Sequence, residues 1–265
     1  MAEQESFLKR WATPLQLAMT FGLYVQVSVL GGLAATPGVY FFSQAHAYAE
    51  GLGPLPRAFV LAVAGFLAYF SYAVAVIFVT GAFRLATFAG TPLGTYSYYS
   101  LRGFQWASYN AIILLVRYTC INWLRVTPLL CTFHRLMGMK IGKRVQINTA
   151  VIGDSNLIEI GDDTVIGGDV TLIGHSAEHG NLVSAPVKIG SNVTVGLMAM
   201  VMPGVTIGDR ALIAANAFLA KGTVVGPGEI WGGIPAKKLG DRSKRGAEPA
   251  AAAAAATAAT AAEVP

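Results

Sequence analysis

Hydrophobic and polar positions divide the chain into two halves with different periods. Leu15 to Ala35 is an apolar run of 21 residues without a charge, broken only by Gln16, Thr20, Gln26 and Ser28. At about 1.5 Å per residue, that length spans a bilayer core of about 30 Å. Ala58 to Phe83 is a second uncharged run, closed by Arg57 and Arg84, and it is the stronger of the two. Both are expected to form transmembrane helices. A buried core helix needs only about 10 to 14 apolar residues and keeps a polar face. Lys9, Arg10 and the Ala34-Ala35 pair give the first run the outline of a signal peptide, but it exceeds the usual apolar core of about 7 to 15 residues. Lys9 and Arg10 flank one side of the pair of runs and Arg84 and Arg102 the other. The positive-inside bias then puts both chain ends in the cytoplasm and the 36–57 connection outside.

From Tyr96 to Arg135 the pattern changes. Tyr96, Tyr98, Tyr99, Trp106 and Tyr109 group as in an interfacial aromatic belt, and Arg117, Asn122 and Arg125 recur at near-helical spacing after apolar Ala111–Val116. This predicts an amphipathic segment lying in the interface, with a third span over 106–130 as the alternative.

The second half has a period of six. An aliphatic or aromatic residue returns at Ile189, Val195, Val201, Ile207, Ile213, Leu219, Val225 and Trp231, with Val193, Ala199, Val205, Ala211, Ala217 and Thr223 between. Neither a helix nor a simple alternating strand holds that register, so a solenoid with one short strand and one turn per hexad is indicated. Ile141 and Ile147 keep the spacing, and Ile160, Ile166 and Leu172 resume it after a slip of one residue. Gly142, Gly161, Gly167, Gly190, Gly196 and Gly208 follow the aliphatic position, where a tight corner favours a residue without a Cβ. The expected organisation is a cytoplasmic segment (1–13), a two-span membrane domain (14–95), an interfacial segment (96–138), the repeat domain (139–239) and an Ala-rich disordered tail (240–265).

Composition agrees with this division. Of 265 residues, 54% are apolar and 12% charged, against about 25% charged in a typical soluble domain. The net charge of +5 conceals a stretch from Glu50 to Asp154 that has no acid between those two residues and nine basic ones. Basic residues mixed with aromatics can bind nucleic acid. Beside long apolar runs, the same residues suit anionic headgroups better, so no nucleic-acid partner is expected. Cys120 and Cys131 cannot form a disulfide framework or a Cys-only zinc site, and read as two unreactive thiols rather than lipid-modified ones.

One interruption of the repeat carries candidate chemistry. Between Leu172 and Ile189 the chain leaves register with Gly174-His175-Ser176-Ala177-Glu178-His179-Gly180, which holds two of the four histidines. Three readings compete. The string matches a zinc-hydrolase H-x-x-E-H pattern, but that pattern needs a helix. A shared metal site of the β-helical carbonic anhydrase kind needs three histidines, and the repeat has two. A general base for acyl transfer needs one imidazole, whose ordinary pKa suits the task.

The hexads resemble the left-handed parallel β-helix of the hexapeptide-repeat acyltransferases over about Ile141 to Leu239. The fold implied is N-terminal transmembrane α-helices followed by a left-handed prism of roughly five coils of three hexads each, about 24 Å tall at 4.8 Å per coil. The His175 loop looks like that of the galactoside and maltose O-acetyltransferases. That resemblance makes His175 the catalytic base, with His179 the weaker candidate. It also assigns Leu197, Ala215, Lys221 and Lys237 to the coenzyme A site. Here Ala220 replaces a Thr, Leu197 stands where those enzymes have Ser or Gly, and Thr194 replaces a Trp. Acetyl-CoA or another acyl-CoA as donor, no metal, no covalent acyl-enzyme and a homotrimer are implied, and Met198, Met200 and Met202 alternate on one strand where a groove between prisms would lie.

The order of spans, basic segment and prism is similar to the membrane-embedded C-terminal part of poly-lysine-synthetase-type nonribosomal peptide synthetases, including Met137–Gly142 leading into Val145–Asn148. That resemblance implies an aminoacyl group on a carrier as donor, with a carrier or synthetase partner. The expected function is therefore a plasma- or inner-membrane acyltransferase with a cytoplasmic catalytic domain, acting on a hydroxyl or amine. An amide-forming aminoacyl transferase is the first alternative, and a non-catalytic trimeric membrane scaffold the second.

Overall fold

The computed structural model describes residues 2–242, with side chains from Thr13 onward. Helix α1 (Ala2–Ala49) and helix α2 (Pro54–Thr87) form an antiparallel hairpin. Both are long and apolar enough to cross a membrane, over Thr13–Ala49 and Pro54–Thr87, and most of their surface is not covered by protein. The connection expected over 36–57 shrinks to residues 50–53, because α1 runs on to Ala49 and Pro54 starts α2 at its first turn, a position that needs no backbone donor. Gly38 permits the close crossing of the two helices: a Cβ there would lie 2.5 Å from the Ala68 carbonyl oxygen. Gln26, a polar interruption of the first apolar run, exchanges two hydrogen bonds with Ser108, donating to its carbonyl at 3.0 Å and accepting from its hydroxyl at 2.7 Å.

Ser108 belongs to helix α3 (Leu101–Thr119), capped by the Ser100 hydroxyl, which accepts from the Gly103 N–H at 3.1 Å. Short helices α4 (Ile121–Leu124) and α5 (Pro128–Leu136) follow. The amphipathic reading of this segment gives the correct apolar face but not its environment. Tyr109, Ile112, Ile113 and Val116 are buried in the protein's own core, and the Tyr109 hydroxyl donates to the Met137 carbonyl at 2.5 Å. Tyr109 is thus no member of an aromatic belt. Tyr96 lies equally buried in the strand Gly94–Ser97. Cys120 and Cys131 are free and buried.

The repeat forms a three-faced parallel β-helix. The first face stacks Lys140–Ile141, Ile158–Ile160, Val187–Ile189, Thr206–Ile207 and Val224–Val225. The second stacks Gln146–Ile147, Val165–Ile166, Thr194–Val195, Leu212–Ile213 and Glu229–Gly232, and the third Thr171–Leu172, Met200–Val201 and Phe218–Leu219 above a single bridge at Ile152. Five strands on two of the faces agree with the five expected coils. The hexad residues from Ile189 to Val225 are buried, as are Val193, Ala199, Val205, Ala211 and Ala217. The second face closes with Lys237–Asp241 pairing antiparallel to Glu229–Gly232, so residues 240 and 241 belong to the sheet rather than to a disordered tail. The rest of that tail, 243–265, lies outside the described residues.

The corner glycines act by close approach and not by backbone freedom. A Cβ on Gly161 would lie 2.6 Å from Gly190 C and Ser191 N, and one on Gly196 2.6 Å from Ala215 N, because the next coil rests directly on them. The left-handed conformation falls two residues later, at Asp163, Asn192, Met198 and Arg210. Gly196→Val should therefore cost about 2 to 3 kcal/mol by overpacking and lower the melting temperature by roughly 5 to 10 °C. Gly240→Ala, which meets nothing within 4 Å, should stay within about 0.5 kcal/mol. Thermal unfolding of the two variants side by side checks the contrast.

Candidate active site

The slip in the hexad register after Ile147 corresponds to a structural insertion. Asp154 takes a left-handed conformation (φ 53°, ψ 44°) and opens a 3-10 turn at Ser155–Leu157 before the next strand begins. This places the Asp154 side chain inside the protein with no solvent exposure. A buried carboxylate is costly unless its oxygens are satisfied, and here four donors meet it. Thr91 Oγ1 donates at 2.6 Å and Asn110 Nδ2 at 3.1 Å to Oδ1, while the Gly174 N–H donates at 3.1 Å and His175 Nδ1 stands at 2.5 Å from Oδ2. Burial raises the Asp154 pKa, but the hydrogen bond and charge of His175, with Thr91 and Asn110, outweigh it and hold the carboxyl below its ordinary value of 3.8.

His175 starts a β-hairpin, His175–Glu178 and Asn181–Ser184, whose turn is formed by His179 and Gly180, both at positive φ. The hairpin is joined by a third antiparallel strand, Gly94–Ser97, and the Tyr96 and Ser184 hydroxyls lie 3.0 Å apart across that pairing. The indole of Trp106, on α3, meets the His175 ring edge-on with centroids 4.9 Å apart. The imidazole is therefore fixed by a carboxylate on Nδ1 and an aromatic wall. Its side chain keeps 24% exposure, and Nε2 has no hydrogen-bond partner among the described residues. An acidic partner on Nδ1 sets the tautomer that leaves Nε2 able to accept a proton, the arrangement of a general base.

Several contacts tie this pair to the helices. Asn156 and Thr91 exchange two hydrogen bonds at 3.0 Å, and the Asn156 N–H donates to the Tyr109 hydroxyl at 3.0 Å. His134, wholly buried on α5, sits 2.9 Å from the Ser155 hydroxyl, and burial lowers its pKa to about 3, which keeps it neutral.

The other sequence candidates are distributed over the prism. Lys221 pairs with Glu178 of the hairpin, which also accepts from the Ser176 hydroxyl at 2.8 Å. The Lys221 hydrogen bond, aided by Ser176, holds the Glu178 carboxyl below the ordinary range. Lys221 shares with His175 the edge between the third and first faces. Leu197 and Ala215 stack on the edge between the second and third faces, where both are exposed. Met198 and Met200 are exposed on or beside the third face, which separates the two edges. Lys237 is exposed on the closing strand. One prism alone does not bring His175 and the Leu197–Ala215 pair together. His179 is exposed at the hairpin turn, and the strand conformation of His175–Glu178 removes the helix that an H-x-x-E-H zinc site needs. Among the described residues no group of three or more His, Cys, Asp or Glu could hold a metal ion.

Residues 186–221 match the family described as bacterial transferase hexapeptide (six repeats). The chain carries the bacterial transferase hexapeptide repeat. Its prism is accordingly a left-handed β-helix, as the sequence resemblance implies. Delta-poly-L-ornithine synthetase of Acinetobacter baumannii is 26% identical over 231 residues, covering 87% of this chain and 16% of that protein. Galactoside O-acetyltransferase of Escherichia coli is 34% identical over 118 residues, covering 40% of this chain and 57% of that enzyme. A solved galactoside acetyltransferase in complex with coenzyme A is similar with a TM-score of 0.44 at 21% identity, covering 57% of this chain and 88% of the other.

Asp154, Thr91, Asn110 and Trp106 were not identifiable as site residues in the sequence. The one available signal was the slipped hexad, which coincides with the acid that ends the acid-free stretch. Asp154→Asn turns an acceptor into a donor facing donors, and should cost about 3 kcal/mol. Because the folded-state pKa lies below the unfolded one, the wild-type carboxylate stabilises fully above the ordinary range near 3.8, and that contribution is lost as pH falls through the depressed value. Denaturation midpoints measured from pH 6 down to pH 3 should fall more steeply for the wild type than for Asp154→Asn.

Proposed function

We propose that the protein is a membrane-anchored acyltransferase that moves an acetyl or other acyl group from acyl-CoA to a hydroxyl or amine. The Asp154–His175 pair carries this reading. In the proposed step His175 Nε2 takes the acceptor's proton as its oxygen or nitrogen attacks the thioester carbonyl. The tetrahedral oxyanion is held by backbone N–H donors, the carbon–sulfur bond breaks, and the proton passes from the imidazolium to the departing thiolate. Asp154 positions the ring and stabilises the imidazolium without itself taking the proton. Cys120 and Cys131 are buried and precede the repeat coils, and the transfer is direct, without an acyl-enzyme.

Acyl-CoA would use the Leu197–Ala215 edge, with Lys237 supplying a cation for phosphate and Lys221 doing so if it releases Glu178. Since Leu197 and Ala215 lie on a different edge from His175, the site would be completed by a neighbouring prism in a homotrimer, with the exposed methionines of the third face lining the groove. The helices α1 and α2 anchor the enzyme in the plasma or inner membrane with the prism on the cytoplasmic side. Delta-poly-L-ornithine synthetase is similar over the helices as well as the prism, since its match covers 87% of the chain. That favours a second reading in which the donor is an aminoacyl group on a carrier.

Thiol release from acetyl-CoA by the purified full chain, with membrane extracts as acceptor source, tests the proposal. His175→Ala should lower turnover by about 100- to 10,000-fold while acyl-CoA binding is retained, and full activity in that variant would remove His175 from the mechanism. Consumption of an aminoacyl carrier but not of acetyl-CoA would select the second reading. Binding of neither would leave the prism a scaffold. In sealed vesicles of known orientation, protease should reach the prism only from the cytoplasmic face.

A further inference from the structure

A cavity of about 380 Å³ lies between α1 and α3, beside the residues that follow the Gly94–Ser97 strand, within the range of about 300 to 1,000 Å³ usual for small-molecule pockets. Met19, Leu23, Tyr98, Ala107 and Trp106 supply most of its apolar wall, and Gln16 and Thr20 its polar part. Trp106 belongs to two places at once. It lines this cavity, and its indole is the aromatic wall of His175, 4.9 Å away between ring centroids. The Trp106 indole N–H is buried with no acceptor among the described residues, although buried donors are nearly always paired.

The length of α1 adds a separate argument. The described part of α1, Thr13–Ala49, has 37 residues, about 55 Å of helix at 1.5 Å per residue, against a hydrocarbon layer of about 30 Å. The cavity takes its α1 residues from the end where that helix meets α3 and not from the end near the α2 turn. A helix longer than bilayer thickness therefore lends Gln16, Met19, Thr20 and Leu23 to a cavity that meets the candidate base through the shared Trp106 indole.

Resting on the acyltransferase reading above, we propose that this cavity holds the apolar chain of an amphiphilic acceptor, whose hydroxyl or amine is presented to His175 Nε2 while an oxygen next to the chain accepts from the Trp106 indole. The substrate class is then a membrane-resident amphiphile and not a free sugar. The acceptor fits better than the acyl chain of the donor, because the nucleophile whose proton His175 removes is the group that must lie against that imidazole. Leu197 and Ala215, expected to hold acyl-CoA, lie on another edge of the prism.

The test uses the full chain in lipid nanodiscs and a photoactivatable 12-carbon alcohol with a diazirine on its chain, and mass spectrometry locates the label. Label concentrated at 16–23 and 98–107, and reduced about tenfold in either Ala107→Phe or Thr20→Phe, is the expected result. Dodecyl glucoside should compete and hexyl glucoside should not, because each lost methylene weakens binding roughly three- to fourfold. Label spread over the outer surfaces of α1 and α2 would overturn the proposal, even if both variants fail to fold. Competition by decanoyl-CoA but not by dodecyl glucoside would overturn it in favour of the donor's chain. The readout is independent of turnover. Localised label without any acyl transfer would sink the enzymatic reading and leave the cavity as a chain-binding site, whereas transfer to soluble acceptors with unlocalised label would sink only the cavity.

Discussion

The architecture around the candidate site depends on one buried negative charge. Asp154 has no lysine or arginine against it, and its two oxygens are satisfied by a threonine, an asparagine, a backbone N–H and an imidazole drawn from different parts of the chain. An uncompensated carboxylate at that depth would cost several kcal/mol, so each donor is held in place by the need of the others. Thr91 fixes the chain that leaves α2, Asn110 fixes α3, and Gly174 and His175 fix the start of the hairpin. The same carboxylate therefore orients the imidazole and docks the helical half onto the prism.

That docking gives the helices a part in the candidate site. α3 packs against both α1 and α2, places Ile112, Ile113 and Val116 in the shared core and carries Asn110 and Trp106 to the site. The prism supplies a rigid stack whose corners leave little room for adjustment, since the coils meet at Gly161 and Gly196 with backbone against backbone. A rigid stack on one side and a packed helix on the other hold the His175 ring between carboxylate and indole, which suits a base that must meet a proton at a fixed distance.

Much of the fold was legible because its signals are periodic. The hexads gave the coils, their number and their inward residues, and the two uncharged runs gave the long helices. The connection between the helices was misjudged because helix continuation through Thr36–Ala49 leaves no mark in charge. Tyr96 and Tyr109 were misassigned to a membrane surface because they have the same composition signature whether they face headgroups or a protein core. Within the site, His175 was legible as a histidine on a loop ejected from the repeat. Asp154 was not, since its role depends on a left-handed turn and on partners 63 and 44 residues away.

The sequence by itself determined the six-residue solenoid, the apolar helices and the loop that carries the candidate His175, because these follow from local spacing and side-chain chemistry. Tertiary structure alone decided which carboxylate holds that imidazole and that α3 forms its wall. It also decided that Lys221 stands against Glu178, and that Leu197 and Ala215 lie on a different edge of the prism. These outcomes depend on which distant groups satisfy a buried charge and how three faces turn their corners, and neither is encoded in the spacing of neighbouring residues.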